Sequence, residues 1–189
     1  MSVADFIIAF ISIVIGLAVS DLLMSLHRLL RAGRRVKWDW LALSFAALML
    51  FATLQFWWFS FHWYQGATSA TIASFLPRLS FLMIAFLMVA ACLPDEVSEE
   101  GIDLREFYLS SRVHMWTLVA VSLVAIVIVN MIYRGLNAGF VISRDWPHLI
   151  SIGLAVAAIF SRRVWLHTLA IAWIFGWTLH WNLFARIGS

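Results

Sequence analysis

Ser12-Ile-Val-Ile-Gly16-Leu-Ala-Val-Ser20-Asp21 lies inside a predominantly apolar run that begins near Ala4 and ends near Leu30. At about 1.5 Å rise per residue, a helix over 4–30 is long enough to cross the roughly 30 Å hydrocarbon core of a bilayer. Ser12, Gly16 and Ser20 recur every four residues on one face. This small-xxx-small spacing lets a second helix backbone come close in a medium where burying Leu gains nothing over lipid. Asp21 sits beside that stripe. A carboxylate deep in an apolar span costs a few kcal/mol unless it is paired, protonated or facing water. Asp21, with Ser20 next to it, is therefore the first candidate for an ion or substrate site.

The rest of the chain agrees with a membrane setting. Hydrophobic residues make up 63% and charged residues 12% of the 189, with a mean hydropathy of +0.93, whereas about a quarter of a soluble domain is charged. A chain this long holds roughly six spans of 20 to 25 residues and no additional soluble domain. The N-terminus has no basic stretch before its apolar run, and that run is too long for a signal sequence, so the first helix reads as retained. The lone Cys92 reads as a free, packed thiol. No basic stripe with interleaved aromatics lies outside the apolar segments, so nothing points to nucleic acid.

Read in order, the chain predicts an all-α membrane protein with six transmembrane helices at about 4–30, 40–64, 69–93, 113–133, 147–161 and 164–185, in one domain. Pro94 ends the third, Trp146 and Pro147 open the fifth, and the fifth is short for a full span. Segment 95–112 is the long polar stretch, and its Leu104, Phe107 and Tyr108 have helical spacing, either at the membrane surface or as an inward extension of the fourth helix. Nine basic residues fall on the side of the loop after the first helix: Arg28, Arg31, Arg34, Arg35, Lys37, Arg105, Arg112, Arg162 and Arg163. Four fall on the other: Arg78, Arg134, Arg144 and Arg186. By the positive-inside rule both termini lie on the outer, periplasmic side. The acids of 95–106 then face the arginine loop, and an electrostatic contact between the two is expected.

Depth sorts the remaining polar residues. Asp21 lies about 24 Å from the outer end of its helix and Arg78 only about 13 Å from the outer end of its own, so the two are not expected to pair. Asp21 shares an inner layer with Ser25, Ser44, His114, Thr117 and His167. It reads either as a carboxylate locking the first helix to a neighbour or as a cation or proton site. Arg78 shares an outer layer with Gln55, Asn130, His62 and His180. It reads as snorkelling to headgroups or as an anion anchor inside the bundle, with Gln55 and Asn130 as interhelical hydrogen-bonding residues and further candidates for the substrate site. His62 and His180 each precede a tryptophan at similar depth. They read as aromatic-belt residues, or as a bis-histidine haem b site, with the nearby tryptophans as walls for a quinone. No metal site is expected.

No HExxH, CxxC, G-x-S-x-G, G-x-G-x-x-G or phosphate-loop pattern occurs, so nothing supports an enzyme. Gly16-Leu-Ala-Val-Ser-Asp-Leu-Leu23, Arg34-Arg-Val-Lys-Trp-Asp-Trp40, Phe56-Trp57-Trp58 and Asp103-Leu-Arg-Glu-Phe-Tyr108 together resemble a group of small six-helix bacterial inner-membrane proteins of unknown function. The resemblance spans nearly the whole chain and implies fold, orientation and bacterial origin, but no activity. Six-helix potassium channels with Arg-x-x-x-Phe-Ser-Asp in the first helix share only Ser20-Asp21, since Ile15 and Val19 stand at the other two positions. The function expected is a homo-oligomeric transporter or channel-like unit of the inner membrane, with Asp21 as its charged site. The alternative is an accessory or scaffold subunit of a larger membrane complex, with a haem- or quinone-binding redox subunit behind it.

Overall fold

Buried residues on the first helix recur at Ala4, Ile7, Ile11, Ile15, Ala18, Leu22, Ser25 and Leu29, in steps of three or four. That period places one apolar seam against the rest of the chain and leaves the opposite face uncovered. The computed structural model describes residues 3–64, 71–134 and 138–182. Within them the chain forms six α-helices: α1 (Val3–Ala32), α2 (Trp40–Tyr64), α3 (Ile72–Ala90), α4 (Leu104–Arg134), α5 (Ala138–Phe160) and α6 (Val164–Asn182). Three of these, α1, α2 and α4, are long and apolar enough to cross a membrane, while α3 and α5 carry shorter apolar stretches over 75–90 and 145–160.

Among the described helices α2 is central, touching α1, α3, α4 and α6. Its sequence is apolar on every side, as a helix surrounded by others requires. By contrast α1 packs on α2 and α3 at the edge of the bundle. The main core gathers Phe45, Leu48, Met49, Val89, Tyr108, Met115, Trp116 and Ala170. A smaller cluster of Ile7, Ile11, Ile15, Phe56, Tyr64 and Leu82 holds the first half of α1 to α2 and α3.

One end of the bundle, here called the basic end, is closed by a short clasp. After α1 the chain makes a single 3-10 turn over Gly33–Arg35 and enters β1 (Val36–Lys37), which pairs in parallel with β2 (Ile102–Asp103), Val36 opposite Ile102 and Lys37 opposite Asp103. Gly101, just before β2, has φ +94° and lies against the carbonyl oxygen of Arg35 so closely that a Cβ there would collide with it. Asp39 caps α2 by accepting the Leu41 N–H at 2.9 Å. Asp103 caps α4 by accepting the Arg105 and Glu106 N–H groups at 3.0 and 3.2 Å. Both are standard N-cap bonds, in which a side-chain oxygen satisfies orphan donors of the first turn.

Three expected boundaries are corrected. The third helix ends at Ala90 rather than 93, and 91–93 form a turn before Pro94. The fourth helix starts at Leu104 rather than 113, because the Asp103 cap and the buried side chains of Leu104 and Tyr108 carry the helix through the polar segment. The fifth starts at Ala138 rather than 147, so Pro147 lies inside α5 instead of opening it. There its ring removes one i→i−4 bond without ending the helix. The first residues of the expected third helix (69–70), the last of the sixth (183–185) and Arg186 lie outside the described residues.

Candidate functional site

The face of α1 that the bundle leaves uncovered carries Gly16, Leu17 and Ser20, all exposed, with the half-buried Asp21 at its edge. No side chain of a described residue comes within 4 Å of where a Gly16 Cβ would stand. Ser12, at the head of the stripe, is instead occupied within the chain: it accepts the Trp57 indole N–H from α2 at 2.8 Å and donates to the Ile8 carbonyl at 2.8 Å. No hydrogen bond or ion pair from another described residue reaches Asp21. Gly16, Ser20 and the carboxylate thus share a surface that points away from the protein's own core.

Of the other residues in the expected inner layer, Ser25 donates to Asp95 Oδ1 at 3.1 Å, and Arg28 donates to the Asp95 carbonyl at 3.0 Å. Arg28 does not turn back to Asp21. His167 is fully buried in a three-residue network, with the Tyr108 hydroxyl at 3.1 Å and the Trp116 indole N–H at 3.0 Å from Nδ1, and Nε2 at 2.9 Å from the Ser161 carbonyl.

The outer-layer residues do not converge. Arg78 on α3 reaches the Tyr64 hydroxyl at 3.5 Å and stacks its guanidinium over the Tyr64 and Trp63 rings at 5.0 and 5.8 Å, a cation–π arrangement. Gln55 is half-buried on α2 and bonds to no other described residue. Asn130 donates to Asp145 Oδ1 at 3.0 Å and so ties α4 to α5. His180 is exposed, with the Trp177 ring 6.1 Å away, and the side chain of His62 lies outside the described part of the structure. Among the described residues no group of three or more His, Cys, Asp or Glu is placed to hold a metal ion.

Compared with protein-family models, curated proteins and solved structures, the chain matches none.

Three groupings escaped the sequence reading. Asp39 accepts Arg105 Nε at 2.8 Å and is itself buried, while the Arg105 side chain stays half exposed, so the clasp holds a half-buried ion pair between the α1–α2 connection and the start of α4. The signal was present in the Asp39-Trp40-Leu41 helix start, an N-cap candidate that charge counting passed over. Asp145, just before the expected start of the fifth helix, is buried on α5 beside His148, whose Nδ1 lies 3.8 Å from Oδ1. Trp146-Pro147 had suggested that the helix begins after it. The His167 network joins residues some sixty positions apart, and nothing local announces it.

At the basic end the expected loop-to-loop electrostatic contact is present. Arg28 lies 3.9 Å from Asp95 and Lys37 lies 3.9 Å from Asp103, both pairs largely exposed. Pairs of this kind contribute on the order of 0 to 1 kcal/mol each. The Asp39–Arg105 pair and the backbone pairing of β1 with β2 do more to hold the two segments together.

Proposed function

We propose that this is a multi-pass, non-enzymatic membrane protein that assembles with copies of itself into a transporter or channel-like unit, with α1 at the interface between copies and Asp21 as its charged site. The observation that carries the reading is the uncovered face of α1. A carboxylate with no partner among the described residues, beside Gly16 and Ser20 on a face that no described helix covers, is costly facing lipid and inexpensive facing a wet interface between helices. Six helices enclose little volume by themselves, so a conduction path has to run between protomers. The nine-to-four distribution of basic residues supports six spans with both termini outside, and the likeness to six-helix bacterial proteins supports an inner-membrane location.

Flux measurements in proteoliposomes test this directly. Wild-type protein should pass protons or monovalent cations, Asp21→Asn should abolish that flux, and Asp21→Glu should keep part of it. Equal flux through wild type and Asp21→Asn, or no flux through either, would refute the proposal. An accessory-subunit role is favoured by one separate observation: Glu99 and Glu100 project from the clasp, exposed and unpaired with any described residue. A second protein co-purifying in fixed ratio under gentle extraction would decide for that role.

A further inference from the structure

The basic end holds a groove of about 640 Å³ lined by Arg28, Arg31 and Arg35 on one side and by Asp95 and Glu96 on the other. The three arginines follow one another at i, i+3 and i+7, where the end of α1 runs into the 3-10 turn. Their charges are not equivalent. Arg28 and Asp95 are committed to each other, with Ser25 holding the carboxylate from behind. Arg31 and Arg35 are exposed, and neither forms an ion pair with a described residue. Glu96 is likewise exposed and unpaired among the described residues. The groove therefore offers two free guanidinium groups and, across from them, one free carboxylate.

We propose that this groove binds a phospholipid headgroup, its phosphate diester on Arg31 and Arg35 and its ammonium on Glu96. Guanidinium groups present paired N–H donors that match the oxygens of a phosphate, and charge-assisted bonds of this type are about twice as strong as neutral ones. The position suits the ligand, because the last turn of an apolar spanning helix is where headgroup phosphates lie, and basic pockets at such helix ends bind them. An anion alone would leave Glu96 facing like charge. A headgroup carrying both signs satisfies all three groups. The proposal needs only that the chain lies in a bilayer, not that it conducts, so it stands or fails apart from the flux assay.

Native mass spectrometry of the full-length protein, with phosphatidylethanolamine or phosphatidylglycerol added to the detergent, reads the site out. Wild type should retain phosphatidylethanolamine in preference to phosphatidylglycerol. The double variant Arg31→Gln, Arg35→Gln should bind both lipids about tenfold more weakly, the equivalent of about 1.4 kcal/mol. Glu96→Gln should remove the preference while keeping phosphate binding, and Arg34→Gln, which does not line the groove, should bind as wild type. Undiminished lipid retention by the double variant would overturn the site. Unchanged preference in Glu96→Gln would overturn the amine contact, and displacement of lipid by inorganic phosphate would overturn the headgroup as its source.

Discussion

Two donors approach Nδ1 of His167, the Tyr108 hydroxyl and the Trp116 indole N–H, while Nε2 faces the Ser161 carbonyl. A neutral imidazole can satisfy all of them only with its proton on Nε2, so that the ring accepts on one side and donates on the other. Trp116 also lies 3.0 Å from the Tyr108 oxygen and shares its single N–H between the two. The substitutions at this network are therefore unequal. Tyr108→Phe leaves Trp116 its bond to Nδ1 and should cost about 0.5–1.5 kcal/mol, the net value of one hydrogen bond. His167→Phe leaves the buried Tyr108 O–H without its acceptor and the Ser161 carbonyl without its donor, and should cost more, about 1–3 kcal/mol for each group left unsatisfied. Denaturant titration in mixed micelles of the two variants beside wild type checks the order. Equal losses would mean that His167 serves only to fill space.

The clasp depends on one glycine. At φ +94° an L side chain is strained wherever it stands, and at Gly101 a Cβ would also meet the Arg35 carbonyl. Gly101→Ala must therefore push β2 off β1, at a cost of about 1–3 kcal/mol from the backbone alone. Gly33 provides the contrast, because its φ of +55° lies in the left-handed region and nothing stands within 4 Å of its Cβ position. Gly33→Ala should cost only about 1–2 kcal/mol and leave the strand pair closed. Limited proteolysis within 95–103 separates the two, with faster cutting expected in Gly101→Ala alone. The helices framing this clasp were readable to different degrees, for physical reasons. The ends of α1 and the whole of α2 were legible because arginines, Trp38 and Trp40 punctuate the apolar run at a membrane interface. The extension of α4 to Leu104 was legible as helical spacing, but its continuity with the span depends on the Asp103 cap and on burial against α2. The first nine residues of α5 were not legible, because Gly135, Asn137 and Gly139 carry turn chemistry and Pro147 resembles a helix start. The tie from Asn130 to Asp145 that accompanies them is tertiary. In the candidate site, Asp21 and the small stripe stood out as local pattern. Which face of α1 the bundle would leave open was a matter of packing that no single helix encodes.

At the scale of the whole molecule, α1 lies at the edge of the bundle with an apolar outer face, Ile13 at 63% and Leu17 at 59% exposure flanking Gly16. Exposed apolar residues are unremarkable on a surface that meets lipid, so hydrophobicity alone cannot show that another protomer covers them. Gly16 can. A glycine in the middle of a helix is less favourable than a larger residue by roughly 1 kcal/mol, and within this chain nothing is gained from its small size, since no neighbour occupies the space of its side chain. If α1 packs on α1 of a second copy, that missing side chain is what lets the backbones approach, and Gly16→Leu must force them apart. The single chain, by contrast, has room for the leucine and should fold as well as before. The expected outcome is a loss of oligomer mass in light scattering of the detergent-solubilised protein, with thermal unfolding unchanged or slightly raised. Gly153 serves as the control, because it is exposed on α5 and also has nothing within 4 Å of its Cβ position. Gly153→Leu should leave the mass as in wild type. A Gly16→Leu variant of unchanged mass would remove α1 from the interface and leave Asp21 facing lipid, which its desolvation cost argues against.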